Sequence, residues 1–341
     1  MTLTEAAGIT KKGVVIGFIS AAVGIFLLIS YNVSYQYYLS TRPKPEDQPG
    51  LKFGVLPAFL PPSKTSSATF TYSIDTVTGG FPQSPKVLPV YFIPRGGVSL
   101  LAPDKYKQEA ADLGFTQGPE VLSPTQQRFT DGGSGEITID LSTGNFEFQR
   151  SGNSSNSSGY TIPPPAVLPD EKDLAQDFTN YLSNKGLLPK EFQGGRSSVT
   201  YSGSSPADSQ TADVSLWPQD INNYPIVTAN YVQGPLRATV AKANDEKSKF
   251  IKVTYNYWPV DASTFSTYPL KTASEAFDNL KSGTGFICYA PSNSPDVSIS
   301  NIKIGYFESD SYTPYLQPVY AFEGPGFAAL VPAVKHDYQA Q

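Results

Sequence analysis

Residues Gly13 to Tyr31 read GVVIGFISAAVGIFLLISY, 19 positions without a charged side chain. Wound as an α-helix, such a run is about 28 Å long, close to the roughly 30 Å hydrocarbon core of a bilayer. The run carries no polar face; Gly13, Phe18, Ile25, Phe26, Leu27 and Leu28 are spread around the whole helix. It is therefore expected to cross a membrane as a single-pass segment, in contact with lipid over residues 13–31. Lys11 and Lys12 stand just before it and direct residues 1–12 to the cytoplasm under the positive-inside rule. Tyr31, Tyr35, Tyr37 and Tyr38 follow it, as an interfacial aromatic belt would. A cleaved signal peptide has an apolar region of about 7–15 residues ending at a small-residue site. Here the run is longer and passes into Tyr-Asn-Val-Ser-Tyr, so an uncleaved signal anchor in the cell membrane is expected, with the C-terminal bulk extracytoplasmic.

What lies beyond the anchor is poor in bond-making chemistry. The 341-residue chain has one cysteine, Cys288, and one histidine, His336. No intrachain disulfide can form, and neither a zinc site nor a histidine-assisted nucleophile has the residues it needs. Cys288 sits among apolar residues in FICYAP and His336 in the polar run KHDYQAQ, which reads as a buried inert thiol and a solvated tail. Gly132-Gly133-Ser134-Gly135 precedes a strand pattern and not a helix, so it is a turn and not a phosphate loop. The net charge is -5 with no basic stripe, which argues against a nucleic-acid partner. No cofactor and no catalytic residue is expected.

The chain divides into segments. Residues 32–66 form a stalk, with six prolines in the 24 residues from Thr41 to Lys64; proline at that density favours extended, semi-rigid chain. Three helices are expected, over 103–113, 170–184 and 272–281. Each shows a one-sided apolar stripe, ends at a glycine (Gly114, Gly186, Gly283) and runs into strands. Asp170 suits the N-cap position, and Thr272 with Glu275 has capping-box spacing. Ile137, Ile139 and Leu141 alternate, Ser-Thr-Gly-Asn turns the chain, and Phe146 and Phe148 alternate back, which predicts a hairpin. A second hairpin is expected from Val227–Val232 and Leu236–Val240 about Gly234-Pro235. The fold class is therefore α+β: an N-terminal transmembrane helix, then tandem units of antiparallel sheet each packed by one helix. The units are expected at 67–162, 163–265 and 266–334, with a polar tail at 335–341.

Aromatic residues are the remaining candidates for recognition. Trp217, Tyr224, Tyr231, Tyr255, Tyr257 and Trp258 fall within one stretch of the sequence, and Trp217, Tyr257 and Trp258 are the candidate binding aromatics among them. Such rings form protein-binding hot spots, stack on sugars, or simply fill a core.

The C-terminal stretch carries TASEAFDNLKSGTGFI, ISNIKIGYFES, YLQPVYAFEG and FAALVPAV. This succession of helix, glycine turn, Gly-Tyr strand, Pro-Val-Tyr strand and closing strand resembles the PepSY-like fold, and more narrowly the YycH/YycI-type regulators. The GEITIDLSTGNFEF hairpin (135–148) is similar to the same fold's strand–turn–strand element. The resemblance implies one N-terminal membrane helix, a tandem α+β ectodomain, and restraint of a sensor kinase from outside the membrane; it implies no active-site residues. The expected function is a membrane-anchored, extracytoplasmic, non-catalytic binding or regulatory protein whose partner is another envelope protein. The alternatives are an envelope polysaccharide binder or hydrolase, marked by Trp217 or Trp258 facing outward beside two carboxylates, and a structural surface protein.

Overall fold

The computed structural model describes residues 23–35, 48–58, 70–150, 165, 167–292 and 294–340. The chain forms two compact units, Met1–Pro49 and Gly50–Gln341. In the first, residues 23–35 form helix α1. Its apolar side chains face outward, with Ile25, Phe26, Leu27 and Leu28 all more than half exposed, and Tyr31 stacks on Tyr35 with centroids 6.0 Å apart. Lys11, Lys12, Gly13 and Phe18 lie outside the described residues. Among the described residues no helix is long and apolar enough to cross a membrane.

The second unit is mixed α+β, with several sheets and few helices. It opens with two strands whose partners come much later in the chain, β1 (Thr71–Ile74) and β2 (Val87–Phe92). Next come α2 (Ala102–Asp112), β3 (Gln117–Ser123), β4 (Gln126–Thr130), β5 (Glu136–Asp140) and β6 (Phe146–Gln149). The pattern then recurs with α3 (Glu171–Asn184), β7 (Ser197–Tyr201), β8 (Thr211–Leu216), a short β9 (Ile226–Thr228), β10 (Leu236–Ala241), a one-turn α4 (Glu246–Lys249) and β11 (Phe250–Tyr255). The chain closes with β12 (Asp261–Pro269), α5 (Ala273–Lys281), β13 (Phe286–Tyr289), β14 (Asp296–Ile299), β15 (Asn301–Glu308), β16 (Tyr315–Gly324) and β17 (Phe327–Pro332).

The helices start and stop where their local chemistry requires. Asp170 caps α3 by accepting from the Asp173 backbone N–H at 2.9 Å. Thr272 and Glu275 form a reciprocal capping box on α5, with the Glu275 N–H donating to Thr272 Oγ1 at 3.2 Å and the Thr272 N–H to Glu275 Oε2 at 2.6 Å. Just past the last turns, Gly114 and Gly283 take φ values of 94° and 81°, a region that penalises any residue with a Cβ. Thr272→Ala should lower stability by about 1 kcal/mol, read from urea unfolding; a change below about 0.3 kcal/mol would show that the box does not hold this helix.

Eight strands form one antiparallel sheet in the order β3-β4-β5-β6-β11-β10-β8-β7. Two four-stranded meanders meet where β6 pairs with β11, Phe148 opposite Val253. The predicted β5–β6 hairpin is present, with Ile137 opposite Phe148 and Ile139 opposite Phe146. Helices α2 and α3 share one core with the sheet, built on Phe115, Phe129, Phe148, Phe178, Leu182 and Val214.

A second sheet runs β12-β2-β16-β15-β9, with β17 on β16 and β13 on β17. Strand β16 is buried through most of its length, because α5 and the β1–β14 pair cover what would be an open face; Tyr320, Phe322 and Phe327 fill that core together with Phe277 of α5. This sheet draws its strands from across the sequence. β1 and β2 were expected in the first unit, yet β1 pairs in parallel with β14 and β2 pairs with β12 and β16. The expected hairpin over 227–240 does not form: β9 lies parallel to β15, while β10 pairs with β8 and β11. A buried β-branched triplet such as Ile-Val-Thr fits any covered sheet, so the turn at Gly234-Pro235 did not decide its partner.

The expected stalk and tail also join the fold in part. Leu56 is completely buried and forms a parallel bridge to Gln339, and the Gly50 N–H donates to Thr267 O at 2.9 Å. His336 stands in a 3₁₀ turn, His336–Tyr338, and is exposed.

Candidate functional site

Helices cover one face of the eight-stranded sheet, and strand alternation places polar side chains on the other. On β5, Ile137 and Ile139 point into the core while Thr138 and Asp140 point away; on β10, Leu236, Ala238 and Val240 are buried while Arg237 and Thr239 are not. The uncovered face is laced by cross-strand pairs. Lys252 Nζ lies 3.1 Å from Glu147, Thr254 Oγ1 donates to the same carboxylate at 3.1 Å, and Thr239 Oγ1 donates to Asp213 at 2.7 Å. Pairs this exposed contribute no more than about 1 kcal/mol each; their effect is to fix side-chain directions.

A groove of 640 Å³ opens on this face where the loop after β15 and the segment after β2 rise over it. Its floor includes Thr138, Asp140, Glu147 and Thr254, and its walls include Arg95, Arg237, Trp258, Asp310 and Tyr312. A hollow of 300 Å³ adjoins it across the sheet, sharing Arg237 and Thr254. The wall is held by an amide ladder. Asn145 Nδ2 donates to Asn256 Oδ1 at 3.1 Å, Asn256 Nδ2 donates to Ser309 O at 3.3 Å, and the Tyr257 N–H donates to Asn145 Oδ1 at 3.0 Å. The turn after β5, the exit of β11 and the loop 309–312 are thereby tied together.

The groove carboxylates are engaged in local contacts. Asp140 accepts from the Ser142 and Thr143 backbone N–H groups at 2.8 and 3.1 Å. Asp310 faces Arg237 at 3.6 Å. Neither Cys288 nor His336 lines the groove, and burial pushes the Cys288 thiol up to about 12, which leaves it without nucleophilic character near neutral pH.

The three candidate aromatics meet different fates. Trp258 stands in the groove wall: its Nε1 donates to Ser309 O at 2.8 Å and its ring packs against Tyr312 at 5.6 Å. Arg95 in turn sits over Tyr312 at 4.9 Å, so this pair does not present a bare stacking platform. Tyr257 is half-buried beside it; its hydroxyl donates to Glu191 at 2.9 Å, and burial with that carboxylate pushes its pKa up. Trp217 is only 2% exposed. The Arg196 guanidinium covers its ring at 4.2 Å, so it is a core residue and cannot meet an outside ligand. Among the described residues its Nε1 is buried without a hydrogen-bond partner.

Sequence reasoning missed Arg95, Arg237, Asp310 and Tyr312, which come from three distant segments. It also missed Glu308, which ends β15, is 7% exposed, and has its carboxyl pushed up to about 8 by burial, with Asp310 adding to the shift and the Trp258 backbone N–H opposing it.

No family model matches the chain, and no curated protein matches it. Among solved structures it is similar to an uncharacterized protein from Eubacterium rectale, at 10% identity and a TM-score of 0.42, over 79% of this chain and 91% of that one. It is also similar to the C-terminal domain of YpeB from Bacillus megaterium, at 11% identity and a TM-score of 0.30, over 69% of this chain and 93% of that one.

Proposed function

We propose that this protein is a non-catalytic binding module that engages another envelope protein outside the cytoplasm, tethered to the membrane through residues 13–31. The observation that carries the reading is the groove at Trp258: a 640 Å³ depression on a rigid sheet, with cations and carboxylates already paired and directed. A wall of alternating charge and amide groups suits a polypeptide surface, which offers both signs of charge and many backbone donors and acceptors. The covered faces of Trp258 and Tyr312 suit sugar stacking less well, and the engaged carboxylates suit acid–base hydrolysis less well. The resemblance of the C-terminal strands to the YycH/YycI-type regulators agrees with this reading and makes a sensor kinase one partner of the right kind.

The test is site-specific photo-crosslinking in cells that make the protein, with the crosslinking residue at Gln126, exposed at the groove edge, or at Lys107, exposed on α2 over the opposite face. A discrete protein adduct from position 126 and none from 107 is the expected result. Heterogeneous glycan-containing adducts from 126 would transfer the reading to a polysaccharide binder. No adduct from 126, or equal adducts from both positions, would overturn the groove as the contact surface.

A further inference from the structure

On the far side of Trp258 from the groove lies a separate slot of 70 Å³, and the two hollows share only that residue. Apolar side chains make most of the slot wall, among them Ile93, Ile221, Val260 and Leu316, and the aromatic side chains of Tyr257 and Trp258 also line it. Two carboxyl groups line it as well. Glu191 is exposed and stands at the rim. Glu308 is 7% exposed and lies at the base.

Glu308 is poorly satisfied for so buried a group. Among the described residues no side-chain donor bonds its carboxyl, and the Trp258 backbone N–H is the one nearby group that favours its charged form. A carboxylate has room for about four hydrogen bonds, and a buried polar group left short of partners is costly. Its register partner on β9 is the uncharged Thr228. The titratable groups around it are Glu191 and Tyr257 across the slot, and Asp310, whose charge is met by Arg237. No cation among them reaches Glu308 itself.

We propose that this slot binds a primary alkylammonium group, with the methylene stem along the apolar wall and the ammonium at Glu308. The dimensions fit. A cavity of about 150 Å³ encloses a six-carbon ring, so 70 Å³ encloses the ammonium and the one or two methylenes next to it, and the rest of the stem leaves along the apolar wall toward the rim. The ammonium supplies the missing donors and the charge that the buried carboxyl lacks. The aromatic walls add cation–π attraction. The same chemistry is offered by a lysine of a protein partner and by a free linear amine. This site does not depend on what fills the groove.

Proton balance gives the proposal a pH signature. In the empty slot the Glu308 carboxyl holds its proton up to about pH 8; binding the ammonium requires that proton to leave for solvent. Affinity therefore rises as pH rises toward that value, by about 50-fold between pH 6 and pH 8, and then levels off until the amine itself deprotonates near 10.4.

The experiment is calorimetric titration of the purified full chain with n-butylamine, n-butanol and the tripeptide acetyl-Gly-Lys-Gly-amide at pH 6, 7 and 8. Saturable amine binding that strengthens with pH, with no comparable binding of the alcohol, is expected. Tighter binding of the tripeptide assigns the slot to a protein lysine, and tighter binding of butylamine to a free amine; both uphold the ammonium site. E308Q should weaken amine binding at pH 8 by at least about tenfold and remove its pH dependence. Equal binding of butanol, no saturable binding of either amine, or an E308Q variant that binds amine like the parent would overturn the proposal. The amine–alcohol comparison and the pH series use only the unaltered chain, so they decide the matter even where the variant fails to fold.

Discussion

Replacing Glu308 by Gln should abolish most of the loss of stability that the chain suffers between pH 5 and pH 8. The folded chain holds the Glu308 proton up to about pH 8 because burial disfavours the carboxylate, whereas an unfolded chain releases it near the ordinary glutamate value of about 4.3. Between those values the folded state binds more protons than the unfolded state, so stability falls as pH rises. The contribution is fully present below the unfolded value and is lost by about pH 8. Its full size is on the order of 5 kcal/mol, from about 1.4 kcal/mol for each pH unit of the gap. Gln has the shape of the protonated acid and no proton to lose, so its stability should be nearly level across this window, where ordinary carboxylates have already titrated. Urea unfolding of the full chain at pH 5, 6.5 and 8 checks this; an E308Q variant that declines as steeply as the parent would show that another group governs the slope.

Removing Arg150 should cost about 3 kcal/mol, the largest loss expected from any partly exposed residue of the eight-stranded sheet. Its guanidinium donates to the Leu113 carbonyl at the end of α2, to Phe250 O at 3.3 Å and to Lys247 O at 3.5 Å. It also lies over the rings of Phe115 and Phe148 at 4.7 and 4.5 Å. One side chain thus closes a helix C-terminus, fastens α4 and β11, and caps the seam where the two meanders meet. In Arg150→Ala the helix-end carbonyl loses a charge-assisted donor and two rings lose their cover. Arg150→Lys should recover less than half, because an ammonium cannot reach three separated carbonyls while stacking on two rings. Thermal and urea unfolding of both variants measure the effect; a loss under about 1 kcal/mol for the alanine variant would contradict this role.

What could be read from the sequence was what is encoded locally. The three long helices of the second unit carry their apolar stripe and their terminal glycine within some fifteen residues, α3 and α5 also carry their caps, and Thr272 with Glu275 forms the box their spacing announces. The β5–β6 hairpin is similarly self-contained. The second sheet was not legible, because it pairs Thr71 with Asp296 and Leu88 with Tyr268. Strand alternation says which face is apolar and nothing about which distant strand lies alongside. The same limit applies to the site. Trp258 and Trp217 look alike in sequence, and only the tertiary fold lays Arg196 over one and opens a groove beside the other. Glu308 ends an apolar strand as many surface carboxylates do; its burial is created by β9 and the Tyr257–Trp258 segment, which arrive from elsewhere in the chain.

The uncovered sheet face at Trp258 is proposed as a contact surface. Hydroxyl-radical footprinting, comparing the protein in intact cells with the purified full chain, tests it most directly. Tyr312 and Trp258 should be oxidised several-fold more slowly in cells, with Tyr289, which lies outside the groove and is 36% exposed, unchanged. Equal oxidation of Tyr312 and Trp258 in both settings would mean that nothing occupies the groove where the protein works and would contradict a contact surface there.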